Sequence, residues 1–251
     1  MKKDVRLQLI RYAAEYETEA FLDGDPSWFM HQVAGEANPE VTAFVAACLS
    51  YGSRSQFIPK IQWLVDAAEG DMYVWVKSGK FAEVMPSCTE CCFYRLYSYR
   101  QMHLFLCRLR QMLLEYGSMG QYVRQHCKGD TLSAIDSICR WFADSGADHI
   151  VPKNTHSSCK RICMFLRWMV RSGSPVDLGL WADFIDRRTL IMPLDTHVLQ
   201  QSVRLGLLKS KTATMSTTKR LTEALAQVFP DDPLKGDFAL FGYGVNSDSN
   251  K

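Results

Sequence analysis

The chain has 251 residues, 47% hydrophobic and 22% charged, with a formal net charge of +2. That length buries a sizeable core without covalent staples, and that composition excludes a disordered chain. A charge so near neutral gives no whole-molecule field for nucleic acid, so any basic surface has to be local.

The nine cysteines are odd in number, and several fall on apolar helical faces. Buried, reduced thiols in the cytoplasm fit that pattern. Cys88-Thr89-Glu90-Cys91-Cys92 holds one C-x-x-C, but no second pair has ligand spacing, so neither a metal nor another cofactor is expected. No run of about 18 apolar residues and no apolar leader occur, which predicts neither a membrane span nor secretion.

In chain order, 4–18 reads as a helix and 23–27 as a turn. A short helix starts at Trp28 and breaks between Gly35 and Pro39. Residues 40–51 are apolar almost all round, which predicts a central buried helix. It ends at Ser50-Tyr51-Gly52-Ser53-Arg54, and Gln56 starts the next helix. Helices follow over 57–68 and 72–76, and 79–92 is irregular. Phe93-Tyr94-Arg95-Leu96-Tyr97-Ser98-Tyr99-Arg100 interleaves aromatics with arginine. Such a run suits a core helix, and it also suits base stacking. Periodicity predicts helices over 102–116, 119–126 and 131–143, with a loop over 145–156. No stretch alternates apolar and polar residues well enough to predict a strand.

The stretch Ser157 to His197 carries the candidate chemistry. Cys159, Ile162, Cys163, Leu166, Met169 and Val170 form one apolar helical stripe. Ser157 and Ser158 are good N-cap types, and Gly173 with Pro175 ends the helix. Lys160, Arg167 and Arg171 share a second stripe. It is a solvated basic face or a phosphate-binding one. Downstream, Ile191-Met192-Pro193-Leu194 forces an extended approach to Asp195, where a helix begins and runs to Gly206. Asp195 reads as an N-cap. The N–H donors that cap it also hold it ionised, and an ionised carboxylate can stabilise a developing cation. One or two short helical pieces follow the lysine helix over 178–186, and helices close the chain over 217–228 and 232–243.

Leu194-Asp195-Thr196-His197-Val198, placed after a lysine-bearing helix, resembles the catalytic motif of the helix-hairpin-helix DNA glycosylases, which include endonuclease III and the 8-oxoguanine DNA glycosylases. CKRICMFLRWMVR is similar to the lysine helix of the archaeal 8-oxoguanine enzymes. As a whole, from about Pro39 to Asn246, the chain most resembles an uncharacterised bacterial family of that superfamily. LSYGSR, FYRLYSYR and DFALFGYGVN also carry the likeness. Where endonuclease III has a tight glycine-containing hairpin, this chain has IVPKNTHSSCK, and no cysteine follows Cys163 to hold an iron–sulfur cluster.

The resemblance implies an all-α, two-lobed fold with a central cleft and an atypical helix-hairpin-helix. The lobes are expected near 40–128 and 129–246, in one globular unit with 1–39 packed on them. It implies base excision from double-stranded DNA carrying a lesion such as an oxidised purine, on a flipped-out nucleotide, by a cytoplasmic monomer. Lys160 and Asp195 are then catalytic, with Lys153 as a second candidate nucleophile. Arg54, Gln56, Lys153, Arg161, Arg167 and His197 are the expected DNA contacts. The alternative is a diverged, inactive nucleic-acid-binding protein that keeps the fold.

Overall fold

The structure, a computed structural model, describes residues 1–147 and 149–248. Among them are twelve α-helices and one two-stranded antiparallel ribbon. The chain is therefore all-α, as its periodicity predicts. In order the elements are α1 (Lys3–Tyr16), α2 (Trp28–His31), α3 (Asn38–Leu49), α4 (Arg54–Ala67), α5 (Met72–Ser78), β1 (Cys92–Tyr94) and β2 (Tyr97–Ser98). There follow α6 (Tyr99–Tyr116), α7 (Met119–His126), α8 (Thr131–Phe142), α9 (Lys160–Val170), α10 (Thr196–Arg204), α11 (Met215–Ala226) and α12 (Lys235–Asp248). The segment 178–186, expected to hold helical pieces, is made of turns that lead into a 3-10 turn at Arg187–Thr189. None of the described helices is long and apolar enough to cross a membrane. The chain divides into two compact units: Met1–Asp23, Gly129–Leu132 and Thr155–Lys251 form one, and Gly24–Lys128 with Ser133–Asn154 the other.

The second unit is built on α3. Its apolar residues from Val41 to Leu49 are all at most 1% exposed. Burying a helix on every side also buries its polar residues, and each needs a partner. Asn38 Nδ2 donates to the carbonyls of Ala34 at 3.1 Å and Gly70 at 2.8 Å. Glu40 accepts from the backbone N–H groups of Met119 and Gly120, both at 2.8 Å. A carboxylate on α3 thus satisfies the buried donors that open α7, which have no partner within their own helix.

The ribbon in this unit is a correction, since no strand was expected. Arg95 takes a left-handed φ of +52°, which stops a helix there and turns the chain back on itself. Tyr94 then pairs with Tyr97 and Cys92 with Ser98. Ser98 starts α6 through a capping box with Gln101.

In the first unit α1 lies along α12. Gly242 lets them approach, because a Cβ there would stand 2.4 Å from the Tyr16 ring. Tyr16 and Phe21 meet Phe241 edge-on, and Asn246 Nδ2 donates to the Tyr16 hydroxyl at 2.8 Å. Helix α9 is the buried centre of this unit, with every residue from Ile162 to Val170 inside except Met164. Its N-cap is Cys159, at φ +47° and without a side-chain cap, rather than Ser157 or Ser158.

Candidate functional site

The extended run Ile191-Met192-Pro193-Leu194 is buried, with Met192 fully inside. The Met192 N–H donates to Thr222 Oγ1 at 3.1 Å, which fixes the run against α11. It delivers Asp195 to the start of α10. There the Val198 N–H donates to Asp195 Oδ1 at 2.9 Å, as the N-cap reading requires. The other oxygen, Oδ2, lies 3.3 Å from Lys160 Nζ. Lys160 is the first residue of α9, so its Cα is anchored by the buried turn that follows. Both side chains are 33% exposed. Two helix starts therefore place an amine and a carboxylate in contact, with solvent access to both. Proton exchange between them is within hydrogen-bond reach, and a reacting carbon can approach the amine from the open side.

Of the other expected contacts, Arg161 is half-buried and His197 exposed, both in the unit that holds Lys160. Arg54, Gln56 and Lys153 are exposed residues of the second unit. Arg54 pairs with Asp25 at 3.2 Å, and Gln56 Oε1 accepts from Arg95 at 3.3 Å.

Arg167 is a correction. Its expected role on DNA needs solvent access, yet the residue is 3% exposed, and Arg171 is 1% exposed. Arg167 Nε pairs with Asp177 at 3.1 Å, and its Nη1 with Asp237. Arg171 pairs with Asp177, with Asp232 at 2.8 Å and with Glu17 at 2.6 Å. The stripe that begins at Lys160 thus turns inward after one residue. Its arginines are neutralised by carboxylates from the end of α1, the loop after α9 and the approach and first turn of α12. Burial pushes the carboxyls of Asp177 and Asp237 above their ordinary value, although the guanidiniums oppose it. The charge of Asp195 adds to the rise at Asp237, so the open pair and the buried cluster feel one another. Burial works against the charge of Arg171, but Asp232, Asp177 and Glu17 outweigh it and hold this guanidinium above the usual arginine range.

Sequence pattern alone does not single out these four carboxylates. The available signal was weak: two arginines one turn apart on a helix, then Asp177 six residues on, and Asp231-Asp232-Pro233 before a final helix. A cleft of about 480 Å³ opens at the far end of α9, lined by Val170, Ser172, Asp183, Phe184 and Arg187 among others. Neither Lys160 nor Asp195 lines it. Among the described residues no three His, Cys, Asp or Glu side chains converge as metal ligands. Cys88, Cys91, Cys92 and Cys107 are exposed, whereas Cys48, Cys139, Cys159 and Cys163 are buried.

Residues 25–246 match the family described as "Protein of unknown function (DUF2400)", and the chain belongs to that family. No curated protein and no solved structure matches it.

Proposed function

We propose that this protein is a DNA base-excision glycosylase of the helix-hairpin-helix superfamily, with lyase chemistry at Lys160. The observation that carries the reading is the 3.3 Å contact between Lys160 Nζ and Asp195 Oδ2, both one-third open to solvent. A damaged nucleotide is extruded from the duplex and its sugar enters beside the pair. The Lys160 ammonium gives a proton to Asp195, and the freed amine attacks C1′. The new C1′–N bond forms as the glycosidic bond breaks. The base leaves with the electron pair and takes up the proton that Asp195 received, and the Asp195 carboxylate so restored, held by the Val198 N–H, stabilises the positive charge on the sugar. The covalent product collapses to a Schiff base, which permits β-elimination and strand nicking.

The test is borohydride trapping of the full chain on duplex oligonucleotides carrying a panel of oxidised purines and an abasic site. The wild type is expected to give a covalent adduct, and Lys160→Gln to give none. Asp195→Asn should slow excision about 10²–10³-fold, as when a charge-stabilising group is lost, while the protein stays folded. Absence of any wild-type adduct and any base release across the panel would refute the reading. A second reading, a diverged nucleic-acid-binding protein without chemistry, is favoured by one observation: Arg167 and Arg171 are inside, which leaves α9 a short cationic end. It predicts duplex binding without adduct or base release.

A further inference from the structure

Nine cysteines are spread over the chain, yet three of the four exposed ones, Cys88, Cys91 and Cys92, fall within five residues. The fourth, Cys107, stands apart on α6. Buried thiols pack as small apolar groups, whereas an exposed thiol adds little packing and is open to chemistry. The loop that carries the three is fixed at several points. Before it, Met85 is fully buried, and its carbonyl meets His103 Nδ1 at 2.6 Å. Within it, the carbonyls of Thr89 and Cys91 accept from the adjacent N–H groups of Arg100 and Tyr99, both at 3.0 Å. Those donors open the 18-residue α6 and have no partner within their own helix. Glu90, between the two carbonyls, pairs with Arg100 at 2.7 Å. Carbonyls two residues apart that end on neighbouring donors draw the chain into a bend. A C-x-x-C in such a bend reaches the Cα separation of about 4–7 Å that a disulfide needs.

The three thiols differ. Cys92 is the first residue of β1, and its thiol donates to the Arg95 carbonyl at 3.3 Å. Its proton is thus committed to the turn. Cys88 Sγ lies 4.0 Å from Thr89 Oγ1, at the limit of a sulfur contact. Cys91 Sγ has no hydrogen-bond partner among the described residues, so it can meet an incoming sulfur without giving up a contact.

We propose that Cys88 and Cys91 form a reversible thiol–disulfide exchange site, oxidised by small-molecule disulfides of the glutathione class. The Cys91 thiolate attacks one sulfur of the small disulfide. A bond forms to Cys91 Sγ as the old S–S bond breaks, and the released thiolate takes up the proton that Cys91 lost. Cys88 then attacks Cys91 Sγ in the mixed disulfide. The second small thiol leaves with the electron pair and takes up the Cys88 proton. The protein pair is oxidised by two electrons, and one small disulfide is reduced to two thiols. Cys92, bonded to the Arg95 carbonyl, remains a thiol. The groups that anchor the loop to α6 are mainly backbone carbonyls, so the anchors survive the reaction. The site belongs to the second unit and uses neither Lys160 nor Asp195, so it stands apart from the glycosylase reading.

The experiment equilibrates the full chain with mixtures of reduced and oxidised glutathione, quenches with acid and alkylates the remaining thiols. Cleavage after lysine and arginine puts all three cysteines in one peptide, 81–95. In the wild type that peptide is expected to carry an internal disulfide and one alkyl group, located on Cys92. Excess reduced glutathione should restore three free thiols. Cys88→Ser should stop at a mixed disulfide on Cys91, and Cys91→Ser should form no disulfide within the peptide. Because the folded loop holds the bend, the equilibrium constant for oxidation should be about 10-fold or more larger in the native chain than in the same chain unfolded in urea. Three alkyl groups on 81–95 at every glutathione ratio would overturn the site. An internal disulfide that includes Cys92 would overturn the assignment of the pair. Equal constants in the native and unfolded chain would mean that the spacing acts alone, and the built loop would be overturned with it.

Discussion

At the N-terminal end of α9 a single ion pair, Lys160 with Asp195, stands one-third open to solvent. Toward its other end two guanidiniums and four carboxylates close on one another, and Asp177 is fully buried between the arginines. The same stripe of one helix supplies the cations for both. Charge that water still reaches costs little to keep, can lose its partner without harm and is available to a substrate. Charge taken out of water has to be matched atom by atom, and once matched it fixes where α1, α9 and α12 stand in their unit. The helix is thus divided between an end whose charges are open to solvent and an end that is architecture.

The largest effect should come from breaking the architectural end. Arg171→Met removes the cation shared by Asp177, Asp232 and Glu17; Asp177 keeps Arg167, but Asp232 and Glu17 lose this partner. A loss of about 3–5 kcal/mol is expected for breaking such a network on one side, measured by urea unfolding. If Arg171→Met costs no more than an exposed substitution does, the buried cluster is not what holds the unit. The cluster also has a pH signature. Four carboxylates face two guanidiniums, and burial raises Asp177 and Asp237 above the ordinary 3.8. A carboxyl with a raised folded pKa binds its proton more tightly in the native state. Its contribution is full below 3.8 and fades as pH rises through the folded value. These two residues should therefore add stability on acidification, against the usual trend. Asp237→Asn should flatten that part of the stability–pH curve, and an unchanged curve would contradict the assignment.

Glu40 gives a comparison in the other unit. It too is a buried charge, but its partners are the two backbone N–H groups that open α7. Glu40→Ala leaves those donors unpaired, and a loss of about 2–4 kcal/mol follows. Glu40→Gln should recover part of it, since one amide oxygen still accepts. A Glu40→Gln variant no better than Glu40→Ala would mean that the charge, not the hydrogen bonds, holds the helix start.

Helix placement was legible because apolar periodicity reports burial directly. Residues 119–126 are helical as expected, and 40–51 appear as a buried helix at Asn38–Leu49. Asp195 was legible as a cap, because an Asp after Pro-Leu and before a helical run has few other local roles. The fate of the cationic stripe was not legible. Periodicity tells which residues share a face, but not whether that face meets water or four carboxylates, and these come from three separate parts of the sequence: Glu17, Asp177, and Asp232 with Asp237. The ribbon was missed for a different reason. Its strands are three and two residues long, too short for alternation to register, and its turn depends on a left-handed Arg95 that no propensity favours.

The smallest effect is the one that most sharpens the contrast, because it isolates the two ends of α9 by the same measurement. A double-mutant cycle on Lys160 and Asp195 reports their coupling free of other losses. The pair is one-third exposed, so solvent screens it, and the coupling should be below about 1 kcal/mol. Asp195→Ala alone should cost about 1 kcal/mol, but through the lost cap to Val198 rather than through Lys160. Asp195→Asn, which keeps an oxygen for that N–H, should cost less than Asp195→Ala. Lys160→Gln should fall within a few tenths of a kcal/mol of wild type, as surface changes usually do. The parallel cycle on Arg171 and Asp232 should give a coupling several-fold larger, because both side chains are at least nine-tenths buried. Raising salt should erase the first coupling and leave most of the second. Equal couplings at the two ends would end the division drawn here. A large Lys160–Asp195 coupling that resists salt would make this pair a structural clamp, and its substitutions could no longer be read as tests of chemistry alone.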